Sequence, residues 1–132
     1  MIKNDIDLEL KKKYAVLALK WCVKNFGVCE RKRTKLKLEI SDRKRTMKKS
    51  NVFGVYCFYK NKITIYGPNC KSLFEIVSTV IHEYTHYLQS RTMYSKYEKT
   101  HQYHHNPLEK EAKRNEKLYA KECYRNIKKL ID

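Results

Sequence analysis

The segment HEYTH, residues 82 to 86, holds two histidines four positions apart and a glutamate directly after the first. In a helix each residue advances by about 100°, so His82 and His86 would project side by side, about 40° apart. Two imidazoles so placed can bind one Zn2+ ion, with Glu83 close enough to take a proton from a coordinated water. The spacing therefore predicts a metal-assisted hydrolytic site.

A catalytic zinc site needs a third protein ligand, and five downstream side chains qualify. They are Glu109, Glu111, His101, His104 and His105. If residues 107 onward are helical, Glu109 lies about 50 to 60° from the centre of the apolar stripe, whereas Glu111 lies about 100° or more away. The stripe favours Glu109, with Glu111 and His105 as second choices. Glu109 also stands three residues after Asn106, where it could complete a capping box.

Three helices are predicted from the apolar spacing. The first runs from Asp7 to Phe26 and stops at Gly27. The second runs from about Ser72 to about Gln89, and it begins with a capping box and contains HEYTH. The third begins at Asn106-Pro107 and continues to the C-terminus. Its predicted buried stripe consists of Leu108, Ala112, Tyr119, Cys123, Ile127 and Leu130.

Strand patterns lie between the first two helices. TKLKLEIS, residues 34 to 41, alternates apolar and polar positions, and a basic loop follows it. NVFGVYCFY and KITIY, separated by Lys60 and Asn61, read as a hairpin. We therefore expect residues 1 to 132 to form a single compact α+β domain. Its small antiparallel or mixed sheet of about three strands would pack with the N-terminal helix, the HExxH helix and the C-terminal glutamate helix.

Side chains that could contact a substrate come from two regions. The polar stretch from 90 to 105 reads as a long loop and offers Tyr94, Tyr97, His101 and Tyr103 as donors to a developing oxyanion. Gly54 lacks a side chain, so a peptide backbone could approach its strand closely. A β-bulge would explain this glycine equally well.

A family resemblance supports this interpretation. IHEYTHYLQ, with NPLEKEAKRNE placing Glu109 23 residues after His86, resembles the HExxH plus ExxA pattern of gluzincin-type zinc metallopeptidases, particularly the minimal single-domain minigluzincins. GVYCFYKNKITIY looks like their edge strand and hairpin. The resemblance covers roughly residues 50 to 125 and implies a zincin-like fold, peptide hydrolysis, His82, His86 and Glu109 as zinc ligands, and Glu83 as general base. Such families often carry Asp or Asn where this chain has Lys113.

The formal net charge of +16 suggests an acidic partner. The densest basic runs, residues 30 to 37 and 42 to 50, could contact nucleic acid. This charge is the basis of the alternative functions, a protease acting on DNA-bound proteins or a non-catalytic nucleic-acid-binding module. The segment HQYHHNP is similar in position to the loop that supplies the third ligand in SprT-like proteases.

The five cysteines are odd in number, and no pair stands two to four residues apart as zinc-knuckle ligands do. The N-terminal residues lack the apolar region of a signal peptide, and no stretch is apolar enough for a membrane span. We therefore expect an intracellular protein with free thiols and no membrane partner.

Overall fold

The computed structural model describes residues 7–30, 32, 34–47, 50–89 and 106–131. Its helices are α1 (Leu8–Phe26), α2 (Leu73–Leu88) and α3 (Pro107–Ile131), and a 3-10 turn covers Gly67–Asn69. Its strands are β1 (Lys37–Ser41), β2 (Thr46–Met47), β3 (Ser50–Asn51), β4 (Gly54–Cys57) and β5 (Lys62–Tyr66). The described chain is thus α+β, as the sequence predicts.

Helix α1 begins and ends where its capping residues require. The Asp7 carboxylate accepts a hydrogen bond from the Glu9 amide at 3.0 Å, which satisfies one of the free donors of the first turn. Gly27 follows the last turn with φ of 80°, a left-handed conformation that costs glycine little. The buried face between them, with Tyr14, Ala18 and Cys22, packs into the core.

The main sheet is mixed and has the order β1-β5-β4, so β4 lies at one edge. Strand β1 pairs with β5 in parallel, and β4 pairs with β5 in antiparallel register, with Gly54 opposite Ile65. The inward side chains of β5, Ile63 and Ile65, are fully buried. The predicted hairpin turns at Asn61, whose side chain accepts from the Tyr56 hydroxyl and donates to the Thr34 carbonyl.

Two details of the sheet differ from the prediction. The first strand starts at Lys37, three residues later than the alternation suggested. The segment interpreted as a basic loop contains the β2–β3 ribbon, in which Thr46 pairs with Asn51. The Asn69 amide group anchors this ribbon by donating to the carbonyls of Arg45 and Val52. A strand of two residues is too short to show an alternating apolar and polar pattern in the sequence. Only the hydrogen bonds from Asn69, which is distant in the sequence, indicate this ribbon.

Helix α2 lies at the centre of the molecule. Ser72 caps it by accepting a hydrogen bond from the Glu75 amide at 3.1 Å, as predicted. Its buried residues cover most of its circumference, because α1, the sheet and α3 all pack against it. Where α2 crosses the sheet, the Thr79 methyl group occupies the space beside Gly54. The histidines of HEYTH are therefore carried on the most enclosed element of the described chain.

Helix α3 is capped by Asn106, whose side-chain oxygen accepts from the Leu108 amide at 2.9 Å. Leu108, Ala112, Cys123 and Ile127 of the predicted stripe are buried, and Tyr119 is partly buried. Leu130 is 75% exposed, so its assignment to the core was wrong. Ala120 and Ile131 contribute instead, because the contact line drifts around a helix that crosses its neighbours at an angle.

Two further expectations can be compared with the described residues. None of the helices described here is both long and apolar enough to cross a membrane. Cys22, Cys29, Cys57, Cys70 and Cys123 are all free thiols, as expected.

The close packing of β4 on α2 gives a stability prediction. In Gly54→Ala the new Cβ would lie 2.7 Å from the Thr79 methyl carbon and 3.1 Å from the Thr64 carbonyl oxygen. Such overpacking costs about 1 to 3 kcal/mol of unfolding free energy. We expect urea denaturation to show this loss, and Thr79→Ser, which removes the methyl group, to reduce it.

Gly27→Ala is the matched control, since nothing lies within 4 Å of a Cβ there and only the positive φ is unfavourable. Its cost, about 1 to 3 kcal/mol, should not depend on residue 79. If Thr79→Ser restored both alanine variants equally, the steric explanation for Gly54 would be wrong.

Candidate metal centre

Three side chains from two helices converge in the interior. His82 and His86 project from successive turns of α2, with ring centroids 5.2 Å apart. Glu109, in the first turn of α3, bridges them: its Oε1 lies 2.6 Å from Nε2 of His82, and its Oε2 lies 3.1 Å from Nε2 of His86. One ligand atom from each residue falls within 4.8 Å of the others. This group could hold a metal ion.

The donor set suits a transition-metal ion. Bonds of about 2.0 to 2.1 Å in a tetrahedral arrangement separate neighbouring ligand atoms by about 3.3 Å. The observed nitrogen to oxygen distances, 2.6 and 3.1 Å, require only a small expansion to reach that value. Two imidazoles and one carboxylate occur in catalytic zinc sites and also in non-haem iron sites, so the ligands alone do not select the metal.

The second ring nitrogen of each histidine is occupied by a different partner. Nδ1 of His82 lies 2.8 Å from Oε1 of Glu116, and Nδ1 of His86 lies 2.7 Å from Oε1 of Gln89. Both partners accept hydrogen bonds, so each imidazole donates through Nδ1 and presents Nε2 to the site. The tautomer that binds a metal is thereby favoured for both rings.

Gln89 also connects the two helices that carry the ligands. Its amide nitrogen donates to the Leu108 carbonyl at 2.9 Å and to the Glu111 carboxylate at 2.7 Å. The residue is 7% exposed, so these hydrogen bonds are shielded from solvent. Since Leu108 precedes Glu109, the same side chain orients His86 and positions the turn that supplies the carboxylate ligand.

Glu83 lies beside this group on α2 and is 7% exposed. Burial raises the pKa of its carboxyl group above the ordinary value, and the nearby charges of His82 and His86 oppose that shift. A carboxylate in these surroundings could accept a proton from a water.

The three potential ligands form a charged network in the absence of metal. Burial disfavours the charged form of His82, but hydrogen bonds to Glu109 and Glu116 outweigh it and raise its pKa to about 10. The pKa of His86 is also raised, against the effect of burial, mainly through its hydrogen bond to Glu109. The same hydrogen bonds overcome burial at Glu109 and hold its pKa well below the ordinary value. Glu109 is therefore ionised, which is the form that binds a metal.

The structure brings some of the predicted site residues together and places others elsewhere. Glu109 joins the two histidines, and the cap of α3 is supplied by Asn106. Glu111 is not part of the group, because its carboxylate accepts from Gln89. Gly54 lies on the edge strand, where the adjacent Thr79 methyl group accounts for the missing side chain. The other predicted ligands and substrate contacts, Tyr94, Tyr97, His101, Tyr103, His104 and His105, lie outside the described residues.

Glu116 and Gln89 were not predicted from the sequence. A periodic signal existed for Glu116, since it stands seven residues after Glu109 and therefore about 20° from it around the same helix. For Gln89 no such signal existed, because it follows the last helical residue and its contacts depend on how α3 packs. Lys113, at the position where the resemblance suggests Asp or Asn, is exposed.

Comparison of the chain with protein-family models, with curated proteins and with solved structures gives no significant match.

The ligand assignment predicts a contrast between two neighbouring glutamates. Glu109→Gln removes the carboxylate that contacts both histidines, so we expect zinc affinity to fall at least about 100-fold in competition with a chromophoric chelator. Glu111→Gln keeps the ligands and should lower affinity about tenfold or less. Equal losses in both variants would contradict the assignment.

The contact of Glu116 with His82 gives a separate prediction. Glu116→Gln replaces a charged acceptor by a neutral amide, which weakens the orientation and basicity of the ring, and zinc affinity should fall about 10- to 100-fold. Glu122→Gln is the matched control, since Glu122 is exposed on the same helix. The role of Glu116 would be excluded if both variants bound zinc as the parent protein does.

Proposed function

We propose that the chain is a zinc-dependent peptidase in which Glu83 is the general base. The observation that carries this proposal is the close convergence of His82, His86 and Glu109, with Glu83 buried and adjacent on the same helix as the histidines. The HExxH spacing with a buried neighbouring glutamate favours zinc over iron. Hydrolysis needs a general base, which this glutamate supplies, whereas oxygen chemistry at iron does not need one.

The proposed mechanism assigns a task to each side chain. A bound zinc ion would polarise the scissile carbonyl and acidify a coordinated water. His82, His86 and Glu109 would hold the ion and leave one position open. The Glu83 carboxylate would accept a proton from the attacking water and deliver it to the leaving amine. Glu116 and Gln89 would keep the two imidazoles in the required orientation.

The arrangement of the sheet agrees with a peptide substrate. Strand β4 packs on α2 through Gly54 and Thr79 and forms one edge of the main sheet in the described part of the chain. An extended peptide adding to that edge in antiparallel orientation would run along the strand that contacts the metal-bearing helix. Together with the mixed sheet and the glutamate helix, this supports a zincin-like fold of the gluzincin type.

The second function to be considered is nucleic-acid association, either with proteolysis of DNA-bound proteins or without catalysis. The formal charge of +16 favours it. A non-catalytic binding module with a structural metal is disfavoured, because closed structural zinc sites use four protein ligands and are rich in cysteine. Here the described group has three ligands and none is a thiol.

The experiment is cleavage of a fluorescence-quenched peptide library by zinc-loaded protein. We expect hydrolysis, and Glu83→Gln should reduce the rate about 10²- to 10⁴-fold because the proton acceptor is lost. Zinc content, measured by atomic emission, should be unchanged in this variant since all three ligands remain.

Glu122→Gln serves again as a control for the loss of one carboxylate and should keep full activity. A zinc-loaded parent protein that cleaves no peptide, or a Glu83→Gln variant with undiminished activity, would overturn the proposal.

A further inference from the structure

The outer face of α3 carries a continuous row of cations. Lys and Arg recur at steps of three and four residues, and every member of the row is exposed. The basic stripe consists of Lys110, Arg114, Lys117, Lys121, Arg125 and Lys128. At 1.5 Å per residue, the 18 steps from Lys110 to Lys128 span about 27 Å.

The stripe is narrow and free of acidic residues. Taking Lys110 as 0° and about 100° per residue, the six side chains fall between about −20° and 60°. The nearest acidic positions, Glu111 and Glu122, lie near 100° and 120° around the axis. Among the residues that the structure describes, no ion pair neutralises any member of the stripe. It therefore presents six positive charges to solvent on one rigid element.

The stripe and the metal centre occupy different sides of the helix. Glu109 falls near 260° on the same scale, about 80° or more from every member of the stripe. It is buried against α2, whereas the stripe faces away from the core. A partner bound to the stripe would leave the site at His82 and His86 accessible.

We propose that the basic stripe of α3 binds the phosphate backbone of duplex DNA. The row is straight and about 27 Å long, which corresponds to about eight base pairs of B-DNA at 3.4 Å each. Single-stranded nucleic acid is usually held by several aromatic side chains on which successive bases stack. In the described part of α3, the stripe is bordered by one partly buried ring, that of Tyr124, and the Lys128 ammonium already lies over it at 5.6 Å. A membrane surface would need a row of exposed large apolar residues beside the charges. Of the exposed large apolar residues described in α3, Leu118 alone borders the stripe, at 62% exposure.

This assignment differs from the one based on sequence. The local density of Lys and Arg pointed to residues 30 to 37 and 42 to 50, which form short strands and connections where they are described. In α3 the basic residues are diluted along the chain, and helical geometry gathers them on one face. Charge alignment on a rigid surface, rather than density in the sequence, matches the regular spacing of phosphates.

The test is fluorescence anisotropy of a labelled 20-base-pair duplex at several salt concentrations. The triple variant Lys117→Gln, Lys121→Gln, Arg125→Gln should bind at least about tenfold more weakly at 0.1 M salt. The slope of log K against log salt should become shallower by about 2.7, since each lost phosphate contact contributes about 0.9. The matched control is Lys13→Gln, Lys20→Gln, Lys24→Gln, which removes three exposed cations from α1. This control variant should leave the slope of log K against log salt within about 1 of the parent value.

Each outcome decides for or against the stripe. Equal losses in the two triple variants would mean that total charge, not the stripe, attracts DNA, and would overturn the proposal. A stripe-dependent preference for a single-stranded 20-mer, or for phosphatidylserine vesicles over the duplex, would overturn it also. Circular dichroism checks that the variants fold, and the single variant Lys121→Gln, expected to reduce the slope by about 0.9, keeps the test valid if the triple variant unfolds.

DNA binding by the stripe does not depend on peptidase activity. The duplex should bind equally well to the metal-free and the zinc-loaded protein, because the stripe lies outside the metal centre. Failure of peptide cleavage with retained, stripe-dependent DNA binding would therefore reject the proposed function alone.

Discussion

The contact between Glu109 and the two histidines is the interaction on which the centre of the molecule depends. A buried carboxylate is costly unless it is paired, and here each of its oxygens meets one imidazole nitrogen. The contact joins the first turn of α3 to the second half of α2, so it fixes how two helices meet as well as how three ligands are arranged. The arrangement of the three ligands and the packing of α3 on α2 therefore depend on the same contact.

Hydrogen bonds around the Glu109 contact also link α2 to α3. Glu116 lies two turns after Glu109 and reaches His82, while Gln89 joins His86 to the start of α3. The contacts of Glu116 with His82 and of Gln89 with the Leu108 carbonyl cross the α2–α3 interface, so sliding one helix along the other would break both. On its opposite side α2 is held to the sheet where Thr79 meets Gly54. The ligand-bearing helix is therefore fixed from both sides, which preorganises the site before any metal binds.

Local signals in the sequence predicted most of the elements. Ser72 and Asn106 were predicted to cap helices, and the structure confirms both, because a cap depends only on residues within one turn. The angular position of Glu109 also followed from its own helix. The β2–β3 ribbon and the exposure of Leu130 could not be read in this way, since they depend on the distant side chain of Asn69 and on the crossing of helices.

By itself the sequence determined which side chains are available and on which face of which helix they stand, because helical and strand periods are local properties of the chain. Only the tertiary structure decided that Glu109 rather than Glu111 meets the histidines, that Glu116 and Gln89 orient them, and that the cations of α3 align on an open surface. Those outcomes depend on how whole elements pack, and packing is decided by contacts between residues far apart in the chain.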